Sequence, residues 1–395
     1  MKKWLHRLLP ILMLSFLLLG LVRTFCFPED INYYENRSAN KAPRFTLYNF
    51  CSSAFQDDME DALNDQIPFA QRMKSLYNQT DTALLSRMLW SNLERFPGQY
   101  IQFKNMMLFH TGGEIFVTYP TVIMENITSR LDDKADFLNT RFANHPELDF
   151  YLYFIEKDTD IYFPSGYKPG TYEYFSRLLS LPEERMGRFS VDSFAQYTQL
   201  FFRTDHHWNY RGAYEGYCQV MELLGKADHL LTPVGETTLP NPFYGSKTTY
   251  ILGSSTAFQE GFSAYRFDYP EMKISVNGED VEDYGNQSQF LSLEDPTAAV
   301  TYGAYYGSDS GQIIFDTGNQ EAENILVLGE SFDNAILMLM ASHFNQLHSI
   351  DLRNFESQNG KPFRLAEYTR EHEITKVLLI GNLDWFLMSE FLLED

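Results

Sequence analysis

Two short segments carry residue types that can do chemistry together. Thr204-Asp205-His206-His207-Trp208 places an Asp two residues before a His. Far later, the apolar run Ile325-Leu326-Val327-Leu328 leads into Gly329-Glu330-Ser331-Phe332. An Asp, a His and a Ser can act as orienter, base and nucleophile: Ser331 attacks, His207 takes its proton, and Asp205 holds the His207 ring. In extended backbone, residues i and i+2 share a side, so Asp205 is expected to reach His207 while His206 points away. A carboxylate on one imidazole nitrogen fixes the tautomer and leaves the other nitrogen for the serine proton. Trp208 is placed to wall the site.

Each residue also has a plainer use. A Ser between a strand and a helix can be a helix N-cap. As a nucleophile it would instead sit at the carboxyl edge of a sheet, where α/β ligand sites form, with its own N–H available to an oxyanion. Gly329 lets the chain turn there. The second Gly of the G-x-S-x-G elbow is missing, so this is not the α/β-hydrolase version. The two histidines can be structural, or ligate a metal with Asp205; adjacent histidines in extended chain diverge, and no further cluster at ligand spacing follows, so neither metal nor cofactor is expected.

The elements that must position these groups follow from pattern. Leu131, Ala135, Leu138 and Phe142 recur at helical spacing until His145-Pro146 stops the helix. Phe150 to Ile155 reads as a buried strand, Tyr172 to Leu181 as a helix, and Leu200-Phe201-Phe202 as a strand ending at Asp205. Asn209 caps a helix with core face Ala213, Val220, Met221 and Leu224 and Gly225 as its stop. After residue 312 come strand Ile325 to Leu328, helix Phe332 to Met340, and strands His348 to Leu352 and Val377 to Ile380. Alternating strands and helices imply a parallel sheet flanked by helices. Residues 230–312 break the alternation: Thr248 to Leu252 and Gln312 to Phe315 read as strands, and Asn277-Gly278 marks a two-residue hairpin. This predicts a β-rich insertion.

The chain has 395 residues, 33 Phe, 25 Tyr and a formal charge of −22, so it folds and lacks the basic surface that nucleic acid requires. Three cysteines give no disulfide framework. Lys2, Lys3 and Arg7 precede an apolar run from Leu8 to Val22 without a small-x-small cleavage site. Residues 1–27 therefore read as an uncleaved membrane anchor, with the rest outside the cytoplasm. Residues 28–120, including a helix from Phe55 to Leu76 broken near Pro68, read as an extension packed on the body, and 121–395 as the α/β domain. Tyr302, Tyr305 and Tyr306 form an aromatic patch suited to stacking on sugar, or to core packing.

Asp205-His206-His207-Trp208 with a later Gly-x-Ser-Phe resembles the DHHW proteins and, more widely, the AlgX/AlgJ-like SGNH hydrolase-like group. The resemblance extends to Glu35-Asn36-Arg37 and Asn64-Asp65-x-x-Pro68-Phe69. It implies an SGNH-like fold with Asp205, His207 and Ser331 as catalytic residues. It also implies an oxyanion hole completed by a Gly and an Asn, for which Gly381-Asn382 is the nearest candidate; Glu330 stands where Asp is usual. By the same resemblance the expected activity is O-acetyl transfer to an envelope or exopolysaccharide, or acetylester hydrolysis, through an acetyl-serine. The expected partners are a polysaccharide acceptor and a membrane acetyl-donor protein, at the cell surface or in the periplasm. The alternative is an inactive polysaccharide-binding or envelope scaffold.

Overall fold

The computed structural model describes residues 2–28, 31, 32, 37–51, 53–66, 73, 76, 77, 80, 100–103, 105–111, 114–249, 260–282, 284 and 300–388. The chain forms two compact units, 1–97 with 244–259 and 98–243 with 260–395.

In the first unit, helix α1 (Lys2–Cys26) includes Leu8–Cys26, a stretch long and apolar enough to cross a membrane. Its leucines stand exposed all round, as expected of a helix with no polar face. Helix α2 (Ala54–Gln66) stops short of Pro68. Its Asp65 is buried and accepts the Asn40 N–H at 2.8 Å, so the Asn64-Asp65 motif fixes the segment before it. Glu35, Asn36, Pro68 and Phe69 lie outside the described residues.

In the second unit, the strands of one large sheet are β1 (Asp149–Ile155), β2 (Met186–Phe189), β3 (Lys273–Val276), β4 (Glu279–Val281), β5 (Gln312–Asp316), β6 (Asn324–Leu328), β7 (Gln346–Ile350) and β8 (Ile374–Asn382). Their order is β4-β3-β5-β7-β6-β8-β1-β2. From β7 to β2 every pair is parallel, and β6 lies inside with Leu328 opposite Ile350 and Leu379. The side-chain period of two gives this sheet two apolar faces. Ile325, Val327, Leu378 and Ile380 join the core cluster that holds Trp208 and Phe332, while Leu326, Leu328, Val377 and Leu379 join the one that holds Leu131 and Phe386. Both faces then need cover. Helices α3 (Thr128–Asn144) and α4 (Thr171–Leu178) supply Leu131, Ala135, Leu138 and Phe175 to one, and helix α6 (Tyr210–Leu223) supplies Ala213, Val220 and Met221 to the other.

The fold is thus the expected α/β sheet with helices on both faces, and three features differ from the pattern. Between 230 and 312, Gly235–Thr238 and Ser263–Arg266 pair as a separate two-stranded sheet, whereas β3 and the hairpin strand β4, with β5, extend the large sheet antiparallel and make it mixed. The hairpin turn is where Asn277-Gly278 places it, with φ of 51° and 83°. Leu200 ends helix α5 (Phe194–Leu200) instead of opening a strand; Ser193 accepts the Gln196 N–H and starts the helix, which an apolar run alone does not reveal. Thr248 and Thr249 belong to a short helix, Ser246–Thr249, rather than a strand, and residues 250–252 lie outside the described residues.

Candidate active site

The Asp-His pair is built by a turn. Residues 203–207 form consecutive bends after an isolated bridge of Phe201 to Trp208. Asp205 Oδ1 accepts the His207 backbone N–H at 3.0 Å and the His207 Nδ1–H at 2.6 Å. An Asp that binds the N–H two residues on closes a local turn, and here the same oxygen orients the ring. Glu260 ties the preceding residues down: its carboxylate accepts the N–H groups of Arg203 and Thr204 at 3.0 and 2.8 Å and the Thr204 hydroxyl. Burial pushes the Glu260 carboxyl above its usual range, with those donors opposing the shift. Asn209, accepting from the N–H groups of Arg211 and Gly212, then starts α6 as the sequence predicts.

Because the backbone bends, His206 does not point away. Its ring lies 3.8 Å from that of His207 and its Nδ1 is 3.5 Å from Asp205 Oδ1. Asp205, His206 and His207 have ligand atoms all within 4.8 Å, enough to share a metal ion. A metal taking His207 Nε2 would compete with Ser331.

Ser331 follows β6 and meets His207. Its Oγ is 2.7 Å from His207 Nε2. Since a carboxylate can only accept, Nδ1 carries the proton to Asp205, and Nε2 is left to accept the Ser331 hydroxyl. Ser331 does not cap the segment that follows, a 3-10 turn, Asp333–Ala335, whose capping position is Phe332; helix α8 (Leu337–Ala341) comes next, and α7 is Tyr302–Tyr306. The single helix expected from Phe332 to Met340 is divided. Among the described residues nothing accepts the N–H of Ser331. Gly329 is needed for a packing reason: a Cβ there would lie 1.9 Å from Asp333 Oδ2 and 2.9 Å from Ile380 Cγ2.

The His207 ring is clamped flat. Tyr302, from α7, stacks on it with centroids 3.8 Å apart and planes within 2°, and Phe332 meets it at 4.9 Å. Tyr302 is thus a buried positioning residue. Trp208, expected to wall the site, is wholly buried between Phe189 and Phe332. Its place as a substrate contact is corrected: the ring belongs to the core, where bare Gly216 makes room for it. Tyr305 and Tyr306 are also mostly buried, but they line a pocket beyond Tyr302.

Asn382 lies beside the Ser331 turn. It ends β8 with its side chain buried and engaged at both ends. Oδ1 accepts the N–H groups of Asp384 and Trp385, and Nδ2 donates to Glu330 Oε1 at 2.5 Å. It braces the turn beside Ser331, with one Nδ2–H taken up by Glu330. Sequence reasoning also missed Arg353, after β7. Its guanidinium grips Asp351 (Nη2–Oδ2 2.6 Å) and Asp309 (2.8 Å), with Glu330 at 3.7 Å. Burial opposes its charge, but these carboxylates outweigh burial and keep it cationic. Burial raises the Glu330 and Asp333 carboxyls, Asp333 well above the ordinary range. No spacing signal marks this cluster, because its members come from three separate segments.

A DHHW protein family model matches residues 190–350, the stretch holding Asp205, His207 and Ser331. A search of curated proteins by sequence finds no match. Among solved structures, a DHHW family protein from Eubacterium siraeum is similar at 17% identity, covering 74% of this chain and 95% of that one with a TM-score of 0.55. PatB1 from Bacillus cereus is similar at 18% identity, covering 73% and 100%, TM-score 0.56. PatB1 with a sulfonyl adduct gives 18%, 74%, 100% and 0.55. At these identities the likeness is one of fold.

Proposed function

We propose that this protein is a serine-dependent O-acetyltransferase or acetylesterase of the SGNH-like type, held by α1 at a membrane and working outside the cytoplasm on a carbohydrate polymer. The observation that carries the reading is the unbroken Asp205–His207–Ser331 relay, at 2.6 and 2.7 Å. Attack of Ser331 Oγ on the donor's acetyl carbonyl passes the hydroxyl proton to His207 Nε2, and Asp205 stabilises the imidazolium. The Ser331 N–H is available to the tetrahedral oxyanion. Collapse breaks the bond to the donor's leaving group, which takes the His207 proton, and leaves acetyl-Ser331. His207 then deprotonates an acceptor hydroxyl, which attacks the ester and releases Ser331 with its proton restored. A sugar hydroxyl gives transfer, water gives hydrolysis. A membrane protein supplying the acetyl group fits the proposed anchor. The scaffold alternative draws no support from a serine and histidine already in contact.

The test uses the full chain in detergent, with 4-nitrophenyl acetate as donor and a neutral oligosaccharide as acceptor. Mass spectrometry should find acetyl on Ser331 and then on the sugar or released as acetate. Undiminished turnover in Ser331→Ala would overturn the reading.

A further inference from the structure

An aromatic pocket lies beside the triad and is not used by the relay. Its walls include Tyr210 and Tyr214 of α6, Tyr265 and Tyr269, Tyr306 of α7, and Met338 of α8. Helices α6 and α8 follow His207 and Ser331 respectively, so both reacting groups and the pocket hang on the same two elements. Tyr306 lies 4.9 Å from Tyr302, the ring stacked on His207. One aromatic layer therefore separates the pocket from the catalytic imidazole.

The lining chemistry narrows the occupant. Among the described residues, no lysine, arginine, aspartate or glutamate lines the pocket. Burial raises the phenols of Tyr269, Tyr284 and Tyr306, so they stay neutral at physiological pH. A carboxylate or phosphate entering would lose water without gaining a counter-charge. Some polar groups are satisfied internally: the Tyr284 hydroxyl donates to Asn334 Oδ1 at 3.2 Å, and Asn334 Nδ2 donates to Gly307 O at 3.1 Å. The hydroxyls of Tyr269 and Tyr306 have no hydrogen-bond partner among the described residues, although Tyr306 is only 8% exposed. An alkyl chain would leave both unmet. Flat ring faces with idle hydroxyls suit a ligand that has an apolar face and a hydroxylated rim.

We propose that this pocket is a subsite for one uncharged pyranose ring of the acceptor polymer, stacked on the tyrosines and hydrogen-bonded by Tyr269 and Tyr306. It deepens the carbohydrate reading above and rests on it for what the bound sugar is used for. The ring held there directs its neighbour past Tyr302 toward Ser331, and the subsite selects neutral over uronic-acid polymers.

The test measures binding separately from turnover, on the full chain in a polyoxyethylene detergent, which carries neither sugar nor ammonium. Calorimetric titration with cellotetraose should show binding at least roughly 10-fold tighter than tetragalacturonate, since an unpaired buried charge is worth at least one decade. Tyr306→Phe and Tyr269→Phe should each weaken cellotetraose binding roughly 3- to 10-fold, the loss of one hydrogen bond, at unchanged melting temperature. Met338→Trp should fill the pocket and remove binding. Ser331→Ala should keep it, so a failed acetyl reaction with intact sugar binding overturns the enzymatic reading and leaves the subsite standing. The subsite is overturned if cellotetraose does not bind, if tetragalacturonate binds equally, or if both Tyr→Phe variants bind as the parent does. It is equally overturned if tetramethylammonium binds in its place and Met338→Trp removes it, which would make the tyrosines a cage for quaternary ammonium.

Discussion

Gly329→Ala would test whether the turn before Ser331 is held by packing. The added Cβ would sit 1.9 Å from Asp333 Oδ2, and real Cβ atoms essentially never come within 3.0 Å, so something must move by 1.1 Å. Space is lacking. Asp333 is 2% exposed and Phe332 fully buried, and Ile380 Cγ2, 2.9 Å from the same Cβ, blocks another direction. Overpacking of this kind costs about 1–3 kcal/mol. Gly→Ala without a clash would instead stabilise by about 0.4–1 kcal/mol through the unfolded chain, so the two ideas predict opposite signs. Ser331 lies two residues from both clashing positions, and its 2.7 Å bond to His207 does not survive a 1.1 Å shift along its length. Misplacement of that size is expected to slow acetyl release about 10²-fold. Thermal unfolding and 4-nitrophenyl acetate hydrolysis would be measured for Gly329→Ala, Asp333→Ala and the double variant. Asp333→Ala removes the nearest obstacle, so the double variant should recover at least half of both losses, the Ile380 contact holding back the rest. A Gly329→Ala protein as stable and active as the parent, or a double variant no better than Gly329→Ala, would refute the packing argument.

Three further outcomes follow from the same geometry. Asp205→Asn should lower acetyl turnover by about 10⁴, because an amide can hold His207 in the wrong tautomer and does not stabilise the imidazolium; a parental rate would make the pair structural. A sulfonyl fluoride should label Ser331, seen by peptide mass spectrometry, with labelling lost in His207→Ala and kept in His206→Ala; equal loss in both would show that the stacked rings act as a unit. Burial pushes the Asp160 carboxyl up from 3.8 to about 6, against the Thr171 hydroxyl and the Lys157 N–H that favour its charge. The folded state therefore holds this proton more tightly, and the contribution is full below pH 4 and lost as pH rises to about 6. It amounts to about 3 kcal/mol. Urea unfolding between pH 4 and 7 should show a shallower decline in Asp160→Asn than in the parent, and parallel slopes would contradict it.

Legibility tracked locality. The helix from Thr128 to Asn144, the Asn209 cap and the Asn277-Gly278 turn each depend on residues within a few positions, and each was readable. Strand Met186–Phe189 was not: Met-Gly-Arg-Phe has little strand character, and it pairs because β1 offers an edge, with Gly187 bare against the Tyr153 ring. Asp205, His207 and Ser331 were nameable because their residue types are rare in combination. How they meet was not: i and i+2 share a side only in extended chain, and the bends at 203–207 bring the His206 ring onto that of His207. Glu260, Tyr302 and Arg353 act on the site from distant segments with ordinary local sequence.

The relay joins residues 124 positions apart, and the intervening chain includes α6 and four strands of the sheet. Ser331 therefore becomes a nucleophile only when that whole assembly has closed. In an extended chain it is an ordinary alcohol, with its base too distant to draw off the proton. Reactivity is thus a late product of folding: a chain still unfolded during passage across a membrane would carry no activated hydroxyl, and labelling of Ser331 would timestamp completion of the sheet.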